Sequence, residues 1–78
     1  MTPEQRASHA RELLANPLLQ ALVADVQRDC VGRMAYLEPD AHNARLMHIS
    51  EWRALEALMA AIASEANRIT ERPTKAVA

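Results

Sequence analysis

The sequence predicts an all-α fold: an antiparallel helical hairpin whose short N-terminal helix packs on the overhang of a long third helix. Three observations lead there. Half of the 78 residues are apolar, much of that alanine, with one glycine and no phenylalanine, a composition that favours helix. Two proline-bearing breaks, Asn16-Pro17 and Glu38-Pro39-Asp40, divide the chain into three stretches. Within the last stretch Trp52, Leu55, Met59, Ile62, Ala66 and Ile69 alternate spacings of three and four, the repeat of a coiled-coil seam.

The first helix is predicted over residues 3–15. Thr2-Pro3-Glu4-Gln5 combines an N-cap threonine, a proline in the first turn and a glutamine three residues after the cap, the pattern of a capping box. Pro17 ends this helix, because its ring pushes Asn16 out of the α region. Asn16 can in turn cap a second helix, predicted over residues 17–37, with Pro17 at its first position. Leu19, Leu22, Val26, Cys30, Met34 and Leu37 recur there every three or four residues and form one face. Leu18, Val23 and Val31 widen it. Asp25 with Arg28, and Asp29 with Arg33, are spaced to pair on the wet side.

Glu38-Pro39-Asp40 is the turn, and Asp40 is placed to cap a third helix predicted over residues 41–70. Leu46 and Leu58 broaden its seam into a stripe wide enough for two neighbours. Pro73 is expected to stop this helix, leaving residues 71–78 as a loose tail. At 1.5 Å per residue the third helix would be about 45 Å long and the second about 32 Å. Folding at Pro39 sets Val26 opposite Trp52, Val23 opposite Leu55 and Leu19 opposite Met59. The overhang then carries Ile62, Ala66 and Ile69, and Ala10, Leu13 and Leu14 of the first helix are left to cover it. A single domain over residues 1–78, with no internal repeat, is expected.

Composition also bounds function. Nine lysines and arginines against ten acids leave a formal charge of −1, too balanced for the broad basic face that phosphate binding needs. Tyr36 and Trp52 are the only aromatics, too few for a base-stacking platform. Nucleic acid is therefore disfavoured as a partner. No leader pattern and no apolar run near the roughly 18 residues of a membrane span are present, which predicts a protein of the cytoplasm or one packaged from it. A chain this short buries a small share of its surface, and one cysteine cannot form an internal disulfide. A protein partner or a homo-oligomer is the expected remedy.

The segment Glu12-Leu13-Leu14-Ala15-Asn16-Pro17-Leu18-Leu19, followed by a helix, an acidic turn and a long helix with an Ala-Arg-Leu start, resembles small helical proteins of tailed bacteriophages and prophages. The resemblance covers about residues 10 to 68 and rests on a leucine-rich helical motif. It implies a phage origin, a place near head-assembly functions, and residence in the host cytoplasm or the virion. It carries no catalytic residues.

Residues capable of chemistry each have a structural reading beside the functional one. Cys30 and His48 are expected to face each other across the hairpin, as a nucleophile pair, as half a metal site, or as a small buried thiol packed beside a histidine; the last reading is favoured because cysteine is readily buried. His42 and His48 lie six apart, about 120° around a helix, so they cannot share one metal as an i, i+4 pair would. His48-Ile49-Ser50-Glu51 reverses the Glu-x-x-His order of di-iron bundles and has no second copy. Gly32 forms no phosphate loop and marks either close helix approach or a weak point. The sequence thus predicts no catalytic residue, no cofactor, no metal and no small-molecule substrate.

Candidate protein-binding residues are Met34, Tyr36, Met47, Trp52, Leu55, Leu58, Met59 and Ile62. Trp52 reads as the main core ring or as a binding anchor, the first being favoured because it starts the seam. Tyr36, with Met34 and Met47 close by, reads equally as an adaptable exposed contact or as the closure of the hairpin end. Arg45 and Arg53 could meet an acidic partner, though solvated charge is the usual outcome. The function expected is a non-enzymatic protein-interaction module, a small structural or assembly component of a phage particle. The alternative is a phage-encoded inhibitor that docks on a host defence protein or polymerase.

Overall fold

Three helices in chain order, α1 (Pro3–Ala15), α2 (Pro17–Ala35) and α3 (His42–Val77), form the computed structural model, which describes residues 1–77 and the side chains of residues 1–68. Both α1 and α2 pack against α3. The two short helices together act as one interrupted helix antiparallel to the long one, the predicted hairpin.

Local hydrogen bonds explain the starts. Thr2 Oγ1 accepts from the Gln5 amide at 3.1 Å, and Gln5 Oε1 accepts from the Thr2 amide at 2.8 Å, so each of two otherwise orphaned amides donates to the other residue's side-chain oxygen. At the break, Asn16 is extended and its Oδ1 accepts from Leu18 N at 2.8 Å and Leu19 N at 3.2 Å. The Asn16 amide returns to Leu13 O, and the Gln20 side chain donates to Leu14 O at 2.6 Å. The last carbonyls of α1 and the first amides of α2 are thus tied together across one residue, which holds the kink.

The turn differs in detail. α2 ends at Ala35, two residues before the predicted Leu37, and α3 begins at His42. Asp40 takes the His42 amide with its backbone carbonyl at 2.9 Å, and the Arg45 guanidinium reaches back to Glu38 O at 3.3 Å. Backbone and arginine hold this corner where a side-chain cap from Asp40 was expected.

At the other end α3 continues through Pro73 to Val77, past the predicted stop near Thr70 and through the residues expected to be a tail. A proline removes one backbone donor and crowds one carbonyl, a cost of about 3 kcal/mol. The donors of the residues after it remain available, so it taxes a helix without forbidding it. Ile69, the last residue of the predicted seam, lies outside the described side chains.

The enclosed residues are small. Among the described side chains Ala7, Ala10, Cys30 and Ala66 are buried, while Leu19, Val23, Met34, Leu37, His48, Ile49, Trp52, Leu55, Met59 and Ile62 are half-buried between the helices. The first helix covers the overhang with Ala10 buried and Leu14 half-buried, as expected, but Leu13, expected to cover it too, is 44% exposed because Ala7 takes the inward place one turn before Ala10; the Arg6 guanidinium pairs with Glu65, and Arg11 donates to Ala66 O at 3.1 Å.

Candidate protein-interaction face

The face of α2 that meets α3 is rotated from the predicted one. Leu19, Val23, Gln27, Cys30 and Met34 are its inward residues, with Leu37 half-buried in the turn beyond its end, whereas Leu22 and Val26, expected inside, are 49% and 43% exposed. Leu18, Leu22 and Val26 stand four apart, so they form one row along the outer flank. The apolar stripe of α2 is wider than the contact α3 can cover, and half of it stays in water.

A matching row runs along α3. Met47, Glu51, Ala54, Leu58, Ala61 and Glu65 are spaced four, three, four, three and four, a second heptad seam beside the Trp52 seam. Met47, Ala54, Leu58 and Ala61 are exposed, Leu58 by 56%. The two rows look out of the same side of the hairpin, because Arg33, seven residues on from Val26, lies 3.9 Å from Glu51. At the α1 end the same side continues as a shallow groove lined by Arg6, Ala10, Leu13, Ala61, Ile62 and Glu65. The result is an apolar strip, from Leu13 and Leu18 through Leu22, Leu58, Val26 and Ala54, closed at each end by an Arg–Glu pair.

The protein leaves much surface in water. Its accessible surface is 5986 Å², against about 4,700 Å² for a compact protein of 8.7 kDa. The radius of gyration is 17.4 Å, where a compact chain of this length has about 11.5 Å.

The sequence-predicted candidates divide into two groups. Trp52, Leu55, Met59, Ile62 and Met34 lie half-buried in the helix–helix seam and build the hairpin. Tyr36, Met47 and Leu58 are exposed, Tyr36 by 92%, so the tyrosine does not close the hairpin end. Leu22 and Val26 were missed because they fit the period of the inner face as well as that of the outer one. The strict four-three repeat of Met47 to Glu65 was the signal that could have revealed the second seam.

Around Cys30 the expected partner changes. The helices are shifted by about one turn from the register that paired Cys30 with His48, and the thiol donates to Glu51 Oε2 at 3.7 Å. His48 Nδ1 sits 3.6 Å from the other carboxylate oxygen and has no hydrogen-bond partner. Burial raises the Cys30 pKa from the ordinary 9.0, the Glu51 charge and hydrogen bond raise it further, and Arg33 opposes them weakly. The thiol is therefore protonated at neutral pH, the form that is neither nucleophile nor metal ligand. No group of three or more metal-ligating side chains occurs among the described residues.

Other expectations fall out of the same geometry. Asp25 and Arg28 pair at 3.0 Å, while the ion pair of Arg33 goes across to Glu51, not to Asp29. A Cβ built on Gly32 would meet nothing within 4 Å, so close helix approach is not the reason for glycine there. No described helix is long and apolar enough to cross a membrane. No protein-family model, curated protein or solved structure matches the chain.

Proposed function

We propose that this chain is a non-enzymatic protein-interaction module, a small structural or assembly component of a tailed-phage particle that works in the host cytoplasm or the virion. The observation that carries the reading is the apolar strip of Leu18, Leu22, Val26, Ala54, Leu58 and Ala61, all exposed. Contiguous exposed apolar surface of this kind marks interaction sites in soluble proteins. The Cys30 thiol, buried and beside the Glu51 carboxylate, is held in its protonated form, which favours a binding role over thiol catalysis at that position. The resemblance of Glu12 to Leu19 to small phage proteins supplies the setting.

Mass spectrometry of purified particles from the phage or prophage that encodes the chain is the test. The chain should be present in particles or in their assembly intermediates. Its absence from both, with recovery instead on a host enzyme whose activity it blocks, would replace the assembly reading by that of an inhibitor.

A further inference from the structure

We infer that the apolar strip is the interface for a second copy of this chain, giving a four-helix bundle in which α2 of one copy lies over α3 of the other. This rests on the interaction-module reading and names the partner.

The pattern on α3 calls for a helical occupant. A helix that packs on one neighbour needs a single heptad seam, and helices inside a bundle need a wider face. α3 has both the Trp52 seam, used within the hairpin, and the Met47–Glu65 row of the same three-four spacing, which is left open at Met47, Ala54, Leu58 and Ala61.

Size and charge select the copy and its orientation. On α2 the row is bulky, Leu18, Leu22 and Val26; on α3 two of the three central residues are alanines, Ala54 and Ala61. Large side chains pack against small ones when layers interdigitate. From the Cys30–Glu51 contact, Leu22 lies level with Leu58 and Met59, Val26 with Leu55, and Leu18 with Ala61 to Ala63. A two-fold axis along the hairpin therefore sets Val26 of one copy over Ala54 of the other and Leu18 over Ala61, at both halves of the interface at once. The same operation places Arg33 over the partner copy's acidic row at Glu51, and Arg6 over Glu65. A two-fold across the hairpin would instead oppose bulky row to bulky row.

Light scattering with helix content measured in parallel tests the association, and cysteine pairing tests the orientation. The wild-type chain at micromolar concentration should have twice the 8.7 kDa chain mass. Leu58→Glu and Leu22→Glu, both at water-exposed positions, should return it to the single-chain mass with helix content retained. A mixture of Leu22→Cys chains and Leu58→Cys chains should form a disulfide-linked dimer, mapped to positions 22 and 58, that neither variant forms alone. A wild-type monomer with full helix content would overturn the inference, as would ready linkage of Leu22→Cys to itself. In the first case the strip stays free for another protein and the assembly reading stands. A dimer from a chain that is absent from particles would have the opposite meaning.

Discussion

Where α1 lies on α3 the enclosed side chains are Ala7, Ala10 and Ala66, and two arginines, Arg6 and Arg11, reach across to Glu65 and the Ala66 carbonyl. Between α2 and α3, among the described side chains, only Cys30 is enclosed, and Val23, Met34, Trp52 and Leu55 remain partly exposed. The more hydrophobic pair is thus the more open one. Alanine lets two backbones approach until little else is needed to exclude water, whereas bulky residues hold the helices apart and leave their own flanks exposed. Close packing and apolar content are separate properties of a helix pair, and the open pair is the one with capacity for a further neighbour.

Enlarging a residue in the closed region should have the largest effect. Ala7 is fully enclosed, so Ala7→Leu must push α1 from α3 and should cost about 3 kcal/mol, at the upper end of overpacking penalties. Leu22→Ala in the open region should cost less than about 1 kcal/mol in the single chain, since half of that side chain is already hydrated. Urea denaturation of the two variants compares them, at a concentration where each has the single-chain mass. Equal losses would mean that the two regions do not differ in closeness, and the contrast would have to be abandoned.

Asn16 joins the two regions, and its replacement sharpens the comparison. Its Oδ1 accepts from two amides at the start of α2, so Asn16→Ala should cost about 1 kcal/mol. Asn16→Asp keeps the acceptor and should restore most of that loss. If the closed region folds independently of the open one, hydrogen exchange should rise at Leu18 and Leu19 in Asn16→Ala and stay unchanged at Ala7 and Ala10.

The smallest effect concerns the chemistry of the open region. Because burial and then Glu51 raise the Cys30 pKa above 9.0, its alkylation at neutral pH should be slower than that of a free thiol, and Glu51→Gln should speed it by lowering that pKa. The folded chain holds this proton more tightly than the unfolded chain. The associated stability is complete below the ordinary thiol value and is lost as pH rises from there through the raised one. Alkylation rates followed against pH check both points. A faster reaction in the wild type than in Glu51→Gln would reverse the assigned role of the carboxylate.

Features closed within a few residues were legible without tertiary structure. The capping box of Thr2 and Gln5, the Asn16 cap with Pro17 behind it, and the Trp52 seam depend on short-range hydrogen bonds and on helical period, both written into local order. The hairpin followed from the lengths of the stretches, because a long third helix needs α1 as well as α2 to cover it. Rotation and register did not follow. An apolar stripe as wide as that of α2 satisfies several rotations equally, and only in the assembled hairpin do Val23 and Gln27 turn inward while Leu22 and Val26 stay out. The same packing shifts Cys30 from His48 to Glu51, which changes a possible nucleophile pair into a protonated thiol. Local sequence therefore determined the helices, and tertiary packing decided which of their faces remained free, because burial depends on the distance between backbones and that distance is set by residues far apart in the chain.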